Sequence, residues 1–168
     1  MALRQQKTTM TTILQAGSPD DFARARELFR EYGANPDFGM CFKGFEEEIQ
    51  SLPGMYAPPE GCLLLAYVDG EAAGCIGLRK MDPGFCEIRR LYVRPRFRGQ
   101  RMGRTLAEAI IAHARQAGYH TARLGTLPVM KEAIALYQSL GFVPVAPYKD
   151  NALTAAIYME LALKWDFE

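Results

Sequence analysis

Three consecutive apolar segments joined by two short turns constrain the fold of this chain more than any other feature of its sequence. The segments cover residues 62–68, 72–78 and 85–93. Asp69-Gly70, between the first two, is a strong signal for a two-residue hairpin turn, and Asp82-Pro83-Gly84 predicts a second reversal. The pattern therefore predicts an antiparallel β-meander in the middle of the chain.

Segments with helical periodicity lie on both sides of this meander in the sequence. Apolar residues recur at helical spacing in four segments, near residues 19–33, 42–52, 103–117 and 129–140. Ser18 suits the N-cap of the first helix, with Pro19 at the first helical position and Asp21 able to complete a capping box. Gly33 is predicted to end that helix. Further strands are expected near residues 11–14, 121–125, 142–145 and 155–163.

The predicted order of elements is β-α-α-β-β-β-α-β-α-β-β, which indicates an α+β (mixed α/β) domain. A chain of 168 residues can bury one core of ordinary size, and no repeat or long linker divides it. We therefore expect a single domain over residues 1–168, with residues 1–10 flexible.

Composition excludes several classes of protein. With 49% hydrophobic and 23% charged residues, the chain has the balance of a globular domain rather than of a disordered or fibrous protein. A net charge of +1 provides no global attraction to nucleic acid or to a membrane. No apolar run approaches the ~20 residues of a membrane span. We therefore expect neither nucleic acid nor membrane as a partner.

The four cysteines form no Cys-x-x-Cys pair, and three of them lie in predicted strands. This distribution indicates buried thiols rather than disulfides or zinc ligands. His113 and His120 also lack the spacing of metal ligands, so we expect no metal. The first twelve residues contain no apolar core of a secretory signal, and the reducing cytoplasm is the expected location.

One stretch of the chain is strongly basic within this neutral composition. Between Glu87 and Glu108 there are seven arginines and no acidic residue. The turn at 98–103, called here the arginine turn, precedes a predicted helix, whose unpaired first N–H groups favour phosphate. Gly99 and Gly103 permit a close approach of a ligand to the backbone. The turn is neither a P-loop nor a dinucleotide fingerprint. A solvated basic turn explains the composition equally well.

Two segments carry a family resemblance. Glu87-Ile88-Arg89-Arg90-Leu91-Tyr92-Val93, followed by Pro95 and Arg98-Gly99-Gln100-Arg101-Met102-Gly103-Arg104, resembles the acetyl-CoA signature of the GCN5-related N-acetyltransferases (GNAT). Ala133-Ile134-Ala135-Leu136-Tyr137-Gln138-Ser139-Leu140-Gly141-Phe142 resembles the second signature of that family. The predicted element order matches the family from about residue 11 to the C-terminus. The segments 148–151 and 158–161 resemble a bacterial subgroup whose substrates are mostly unassigned.

The resemblance implies the GNAT fold, a central mixed but mostly antiparallel sheet of about seven strands flanked by four helices. It implies acetyl-CoA as the acetyl donor and no metal. The implied reaction is direct attack of a primary amine, on a small molecule or a peptide, within a ternary complex. A non-catalytic acyl-CoA-binding or regulatory module of the same fold is the alternative.

The family pattern also implies the residues that contact acetyl-CoA. The backbone of residues 91–93 would lie beside the pantetheine arm, and the N–H groups of residues 98–104 would bind the pyrophosphate. Arg101 replaces the usual central glycine of the motif, and Met130 replaces an asparagine of many members. The full predicted set is Leu91, Tyr92, Val93, Arg98, Gly99, Gln100, Arg101, Met102, Gly103, Arg104, Met130 and Ala133.

For catalysis, the resemblance implies roles for two side chains. Glu87 occupies the place of a general base that acts through water, although an ion pair with Arg89 or Arg123 is an alternative. Tyr137 matches a tyrosine that donates a proton to the departing thiolate. The alternative for Tyr137 is a core aromatic on the apolar stripe of its helix. If the strand carries the family's bulge, a backbone N–H near Leu91 would stabilise the oxyanion.

The acceptor is expected to enter between the loop at 34–40, the second helix and the turn at 148–151. Acidic residues in this region would attract a cationic acceptor, although an acidic helix face is usually only solvated; they are Glu46, Glu47, Glu48 and Asp150. The exposed closing strands are compatible with a homodimer.

Overall fold

The computed structural model describes residues 8–35, 44–149 and 156–163. A single seven-stranded sheet has the strand order β1-β2-β3-β4-β5-β7-β6. Its strands are β1 Thr11–Gln15, β2 Cys62–Val68, β3 Glu71–Lys80, β4 Phe85–Val93, β5 Thr121–Thr126, β6 Val143–Val145 and β7 Ile157–Ala162. The helices are α1 Pro19–Gly33, α2 Phe45–Gln50, α3 Met102–Gln116 and α4 Lys131–Ser139. This is the predicted order of elements.

The first helix begins as its sequence predicts. Ser18 accepts a hydrogen bond from the Asp21 N–H at 3.1 Å, and the Asp21 carboxylate accepts one from the Ser18 N–H at 3.1 Å, which completes the capping box. The helix ends at Gly33, as predicted, and Ala34 is the C-cap. The Phe45 ring of α2 packs where a side chain at position 33 would project, so Gly33 makes room for α2.

The second helix is shorter than predicted. It ends at Gln50 rather than at residue 52, because Leu52 precedes Pro53, a position that disfavours helical dihedrals. Phe42, with which the predicted helix began, lies outside the described residues, as do residues 1–7 of the N-terminal segment expected to be flexible.

The meander is confirmed, and its turn has the predicted geometry. Asp69 and Gly70 both have positive φ, 49° and 82°, as a two-residue hairpin of type I′ requires. β2 and β3 then pair along their length, and β3 pairs with β4. The antiparallel meander therefore places β4 beside the parallel strand β5.

Strands β4 and β5 pair over three residues of each strand. Parallel pairing joins 85–87 to 121–123 and ends there, while β5 continues to pair with β7 as far as Thr126. The second half of β4 therefore has an edge that β5 does not cover. This opening at the centre of the sheet positions the candidate site.

Each face of the sheet has its own apolar core. Leu106 and Ile110 of α3 are fully buried on one face, and Phe29 of α1 with Ile49 of α2 are buried on the other. Because both faces are covered, the two sides of the opening are held on rigid layers.

Three cysteines are free and buried, and burial raises the pKa of each thiol to about 12. They are Cys62, Cys75 and Cys86, whereas Cys41 lies outside the described residues. In the described part of the chain, no helix has the length and apolar character to cross a bilayer. The same residues contain no group of three or more candidate metal ligands among histidine, cysteine, aspartate and glutamate.

Candidate active site

A β-bulge interrupts β4 where its edge becomes free. Cys75 pairs with Tyr92 and Gly77 pairs with Arg89, so two residues of β4 oppose one residue of β3. Within the bulge, Arg90 has a φ of 61°. The conditional prediction of a bulge next to Leu91 is therefore met.

A cleft of about 640 Å³ lies between the end of β4, the arginine turn and α4. Ten of the predicted acetyl-CoA contacts line it: Leu91, Tyr92, Val93, Arg98, Gly99, Arg101, Met102, Gly103, Met130 and Ala133. Gln100 and Arg104 do not line the cleft. The Arg104 guanidinium instead binds Glu108 at 3.3 Å and the Ser139 hydroxyl.

The start of α3 has backbone donors without helical acceptors beside the cleft. The first bond of α3 joins the Thr105 N–H to the Arg101 carbonyl at 3.0 Å. The N–H groups of residues 102–104 therefore have no acceptor within the helix. Arg98 donates to the Val93 carbonyl at 2.9 Å, which fixes its side chain at the mouth of the cleft. Backbone donors, a helix N-terminus and an arginine together suit a phosphate group.

A second, smaller cavity of about 210 Å³ opens where β4 and β5 separate. Both catalytic candidates, Glu87 and Tyr137, line this cavity, together with Arg89 and Lys149. The cavity and the cleft share four lining residues, which we call the junction: Tyr32, Leu91, Met130 and Ala133. The cleft therefore leads to the candidate catalytic groups.

Tyr137 has the packing of a core residue and also lines the cavity. Its side chain is 6% exposed, and its ring meets the edge of Phe142 with the centroids 5.4 Å apart, as in a core aromatic. Its hydroxyl forms no hydrogen bond with the residues that the structure describes, and the residue lines the cavity. Burial raises the pKa of the phenol, so the hydroxyl carries its proton at neutral pH.

Glu87 is 1% exposed, and three hydrogen-bond donors and one further ion-pair partner surround its carboxylate. Arg79 and Arg89 lie 2.9 and 3.3 Å from Oε1, and Lys149 and the Tyr148 hydroxyl lie 2.7 and 2.8 Å from Oε2. An ionised carboxylate has about four lone-pair sites, so these groups occupy most of its accepting capacity. Burial would raise the pKa of Glu87, but Lys149, Arg79 and Arg89 outweigh it and hold this pKa below its ordinary value.

The two ion pairs considered for Glu87 have different outcomes. The pair with Arg89 is present, whereas the pair with Arg123 is wrong. Arg123 is the β5 neighbour of Glu87 in the register, but it binds Glu160 of the adjacent strand β7 at 3.1 Å. Its guanidinium also lies over the Phe85 ring, 3.9 Å from the centroid, which directs it away from Glu87.

The acidic residues of α2 are not equivalent. Glu46 is exposed and pairs with Arg30 at 3.1 Å, as a solvated helix face would. Glu48 is 8% exposed, and Arg90 binds it through two nitrogens at 2.8 and 3.0 Å. Glu48 therefore does not offer a free carboxylate to a cationic acceptor. Residues 36–40 and 150–151 of the predicted acceptor entrance lie outside the described residues.

Comparison with known proteins identifies the family. The sequence profile of the Acetyltransferase (GNAT) family matches residues 22–142. An uncharacterized N-acetyltransferase of Schizosaccharomyces pombe is 34% identical over 159 residues, which cover 94% of this chain and 98% of the relative. The chain belongs to the GNAT family. Because this relative comes from a yeast, the expected bacterial subgroup is not confirmed.

Solved structures confirm the GNAT fold. A candidate acyl-CoA N-acyltransferase from Klebsiella pneumoniae is 31% identical with a TM-score of 0.72, and the match covers 92% of this GNAT chain and 99% of that one. A candidate acetyltransferase from Salmonella typhimurium, solved with acetyl-CoA, is 22% identical with a TM-score of 0.69. That match covers 92% and 94% of the two chains, and at this identity it shows the fold alone.

Local sequence patterns do not identify several residues of the GNAT site. The helical spacing of Tyr32 in α1 is typical of a core residue, yet Tyr32 lines both the cleft and the cavity. Arg79 is the register partner of Glu87 in the β3–β4 hairpin, whereas Lys149 lies far along the chain, and only the return of the chain after β6 brings it there. A local motif contains no information about such contacts.

Proposed function

We propose that the protein transfers the acetyl group of acetyl-CoA to the primary amine of a small molecule by direct attack in a ternary complex. The observation that carries this proposal is the junction, through which the cleft opens into the cavity. At about 640 Å³ the cleft falls in the ~300–1,000 Å³ range of small-ligand sites, and at about 210 Å³ the cavity lies below it. This difference favours a long donor in the cleft and a small acceptor in the cavity over a peptide.

The donor site follows from the free edge of β4 and from the arginine turn. Beyond residue 87 the backbone of β4 is not paired with β5, so its N–H and C=O groups can bind the amides of a pantetheine arm as an added strand would. At the end of that edge, the N–H groups of residues 102–104 would bind the pyrophosphate. The acetyl thioester would then lie at the junction.

In the reaction, the amine nitrogen forms a bond to the thioester carbon, and the carbon–sulfur bond breaks. The backbone N–H at Leu91 would stabilise the oxyanion, since Leu91 lies in the bulge and lines both the cleft and the cavity. Tyr137 would donate its proton to the departing thiolate and then take one up from solvent, to which the amine releases its own proton. We assign Glu87 the role of an anchor for Lys149 and Tyr148, because protein donors and cations already surround both of its oxygens.

Two measurements test the proposal. Calorimetry should detect binding of acetyl-CoA to the wild type. A thiol-release assay over polyamines, aminoglycosides, amino acids and peptide N-termini should then find turnover with at least one small amine. Binding of acetyl-CoA without turnover on any amine would contradict the transferase and support an acyl-CoA-binding module.

Replacing Gly103 with valine tests the contact between the backbone and the pyrophosphate. A side chain at this position meets only Leu136 Cδ2, at 3.7 Å, so the free protein accommodates it. Valine would nevertheless obstruct the approach of phosphate to the backbone N–H groups. We expect the affinity for acetyl-CoA to fall at least about tenfold, or 1.4 kcal/mol, by calorimetry. Ala112→Val, on an exposed position of the same helix, is the control, and equal affinity in the two variants would contradict the contact.

Replacing Arg101 with glycine separates its backbone from its side chain. Arg101 is the N-cap of α3 and has a left-handed φ of 60°, which glycine adopts without steric cost. We expect thermal or urea unfolding to show a gain of about 0.5–1 kcal/mol. The affinity for acetyl-CoA should stay within about threefold, or 0.7 kcal/mol.

Arg115→Gly is the matched control, since this exposed residue of α3 lies in ordinary helical backbone, where glycine lowers stability. A tenfold loss of acetyl-CoA affinity in Arg101→Gly would instead make the guanidinium a phosphate ligand.

A further inference from the structure

A continuous ion network lies beside the cavity. Arg89 connects Glu87 to a second buried carboxylate, because it lies 3.3 Å from each. That second carboxylate, Glu48, also binds Arg90 at 2.8 Å and accepts from the Tyr56 hydroxyl at 3.0 Å. The ion network comprises Arg79, Arg89, Arg90, Lys149, Glu48 and Glu87.

Positive charge exceeds negative charge around Glu87. Among the described residues, Arg79, Arg89 and Lys149 all lie within 3.3 Å of this one carboxylate. The Arg89 side chain is 19% exposed, so its charge is poorly hydrated, whereas Arg79 and Lys149 keep more contact with solvent. An anion in the cavity would restore the balance.

The excess charge is accessible from the cavity. Arg89 and Lys149 both line it, whereas Glu48 does not. Lys149 has three N–H donors, and one of them lies 2.7 Å from Glu87; within the part of the chain that the structure describes, the other two remain for a ligand. Arg89 and Lys149 converge on Glu87, so a single small anion can reach both of them from the cavity.

We infer that the acceptor is a free amino acid, whose carboxylate binds Lys149 and Arg89 while its amine faces the thioester at the junction. This inference rests on the proposed function, because it names the acceptor of the same site. A cavity of about 210 Å³ is small enough to favour such a molecule. An amine without an anionic group, above all a polyamine, would add positive charge to a cavity that already has an excess.

The same excess accounts for activation of the amine without a free base. Nearby positive charge disfavours a protonated amine, so the bound amine loses its proton more readily than in water. The neutral amine then attacks the thioester carbon, and the second amine proton passes to solvent once the carbon–nitrogen bond has formed. The carboxylate of the acceptor keeps its contacts throughout this step.

Matched acceptors test the inference on the wild-type protein. Alanine, phenylalanine and glutamate are compared with their amides and with their α-decarboxylated amines in the thiol-release assay. We expect kcat/KM to be at least about tenfold higher for the best amino acid than for its own amide and amine. Equal or faster turnover of the amides would overturn the inference and leave the proposed function intact. Failure of every acceptor, with no acetyl-CoA binding, would overturn the proposed function as well.

Variants of Lys149 provide a second test of this inference. Lys149→Gln should lower kcat/KM about tenfold for the amino acid and less than about twofold for the decarboxylated amine, mainly through KM. Lys149→Arg, which keeps the charge, should restore most of the loss. Lys80→Gln is the control, because this lysine pairs with Glu60 on the surface and lines neither the cleft nor the cavity. Equal losses for the two acceptors in Lys149→Gln would contradict recognition of a carboxylate.

Discussion

Tyr137→Phe is expected to lower kcat by a factor of about 10²–10⁴ and to leave the affinity for acetyl-CoA unchanged within about twofold. The ring and its contact with Phe142 remain, so the packing of α4 survives, and only the proton donor is lost. Burial raises the pKa of the phenol, and the donor therefore stays protonated across the neutral range. The loss of rate should accordingly be similar at all pH values between about 6 and 9.

Tyr119→Phe is the matched control for this experiment. Tyr119 and Tyr137 are both 6% exposed, but the Tyr119 hydroxyl donates to the Glu60 carbonyl at 2.6 Å, outside the cleft and the cavity. Its removal should reduce stability without changing kcat. Normal turnover of Tyr137→Phe on a nucleophilic acceptor would reduce Tyr137 to a core aromatic, and the thiolate would then leave unaided.

The parts of the fold that the sequence predicts are those encoded by neighbours along the chain. The capping box of Ser18 and Asp21 and the Asp69-Gly70 hairpin each need a few residues and one backbone conformation, so a local pattern specifies them. The α4 stripe is local in the same sense. It placed Tyr137 correctly in the core, although the cavity beside its hydroxyl depends on strands that are distant in sequence.

At Arg101 the backbone geometry explains the preference of the family for glycine. The resemblance marked this position only as the usual place of a glycine. The left-handed φ of 60° supplies the reason, since the turn into α3 needs a conformation that glycine adopts most easily. Composition alone treats the same residue as one more charge of a basic turn.

The role of Glu87 illustrates what the sequence does not encode locally. Arg79 faces Glu87 across the β3–β4 hairpin and Arg89 is two residues along β4, but no spacing rule relates Lys149, in the segment after β6, to this carboxylate. The motif places a carboxylate on β4 but does not say whether a water or four protein groups surround it. Only the folded geometry distinguishes an available base from an anchor that protein groups already surround.

Glu87→Gln is therefore expected to act first on stability. The amide keeps the shape of the side chain but removes the charge that compensates Arg79, Arg89 and Lys149 in a site where Glu87 is 1% exposed. Removing one partner of a buried ion pair typically costs about 3–5 kcal/mol, and we expect a loss of this size in urea unfolding at pH 7. Glu60→Gln, which breaks the exposed pair with Lys80, should cost less than about 1 kcal/mol.

The pH dependence of unfolding distinguishes this anchor from a base with a raised pKa. The cations around Glu87 hold its folded pKa below the ordinary value of 4.5, so its contribution to stability is complete above about pH 4.5. That contribution disappears as the pH falls through the folded pKa, because the native state must then take up a proton that it binds weakly. The wild type should therefore lose stability steeply below about pH 4.5, and Glu87→Gln should lose less over the same interval. Equal acid slopes in the two proteins, or a stability of Glu87→Gln close to that of Glu60→Gln, would show that the four groups do not anchor on this carboxylate, and Glu87 would again be available as the base.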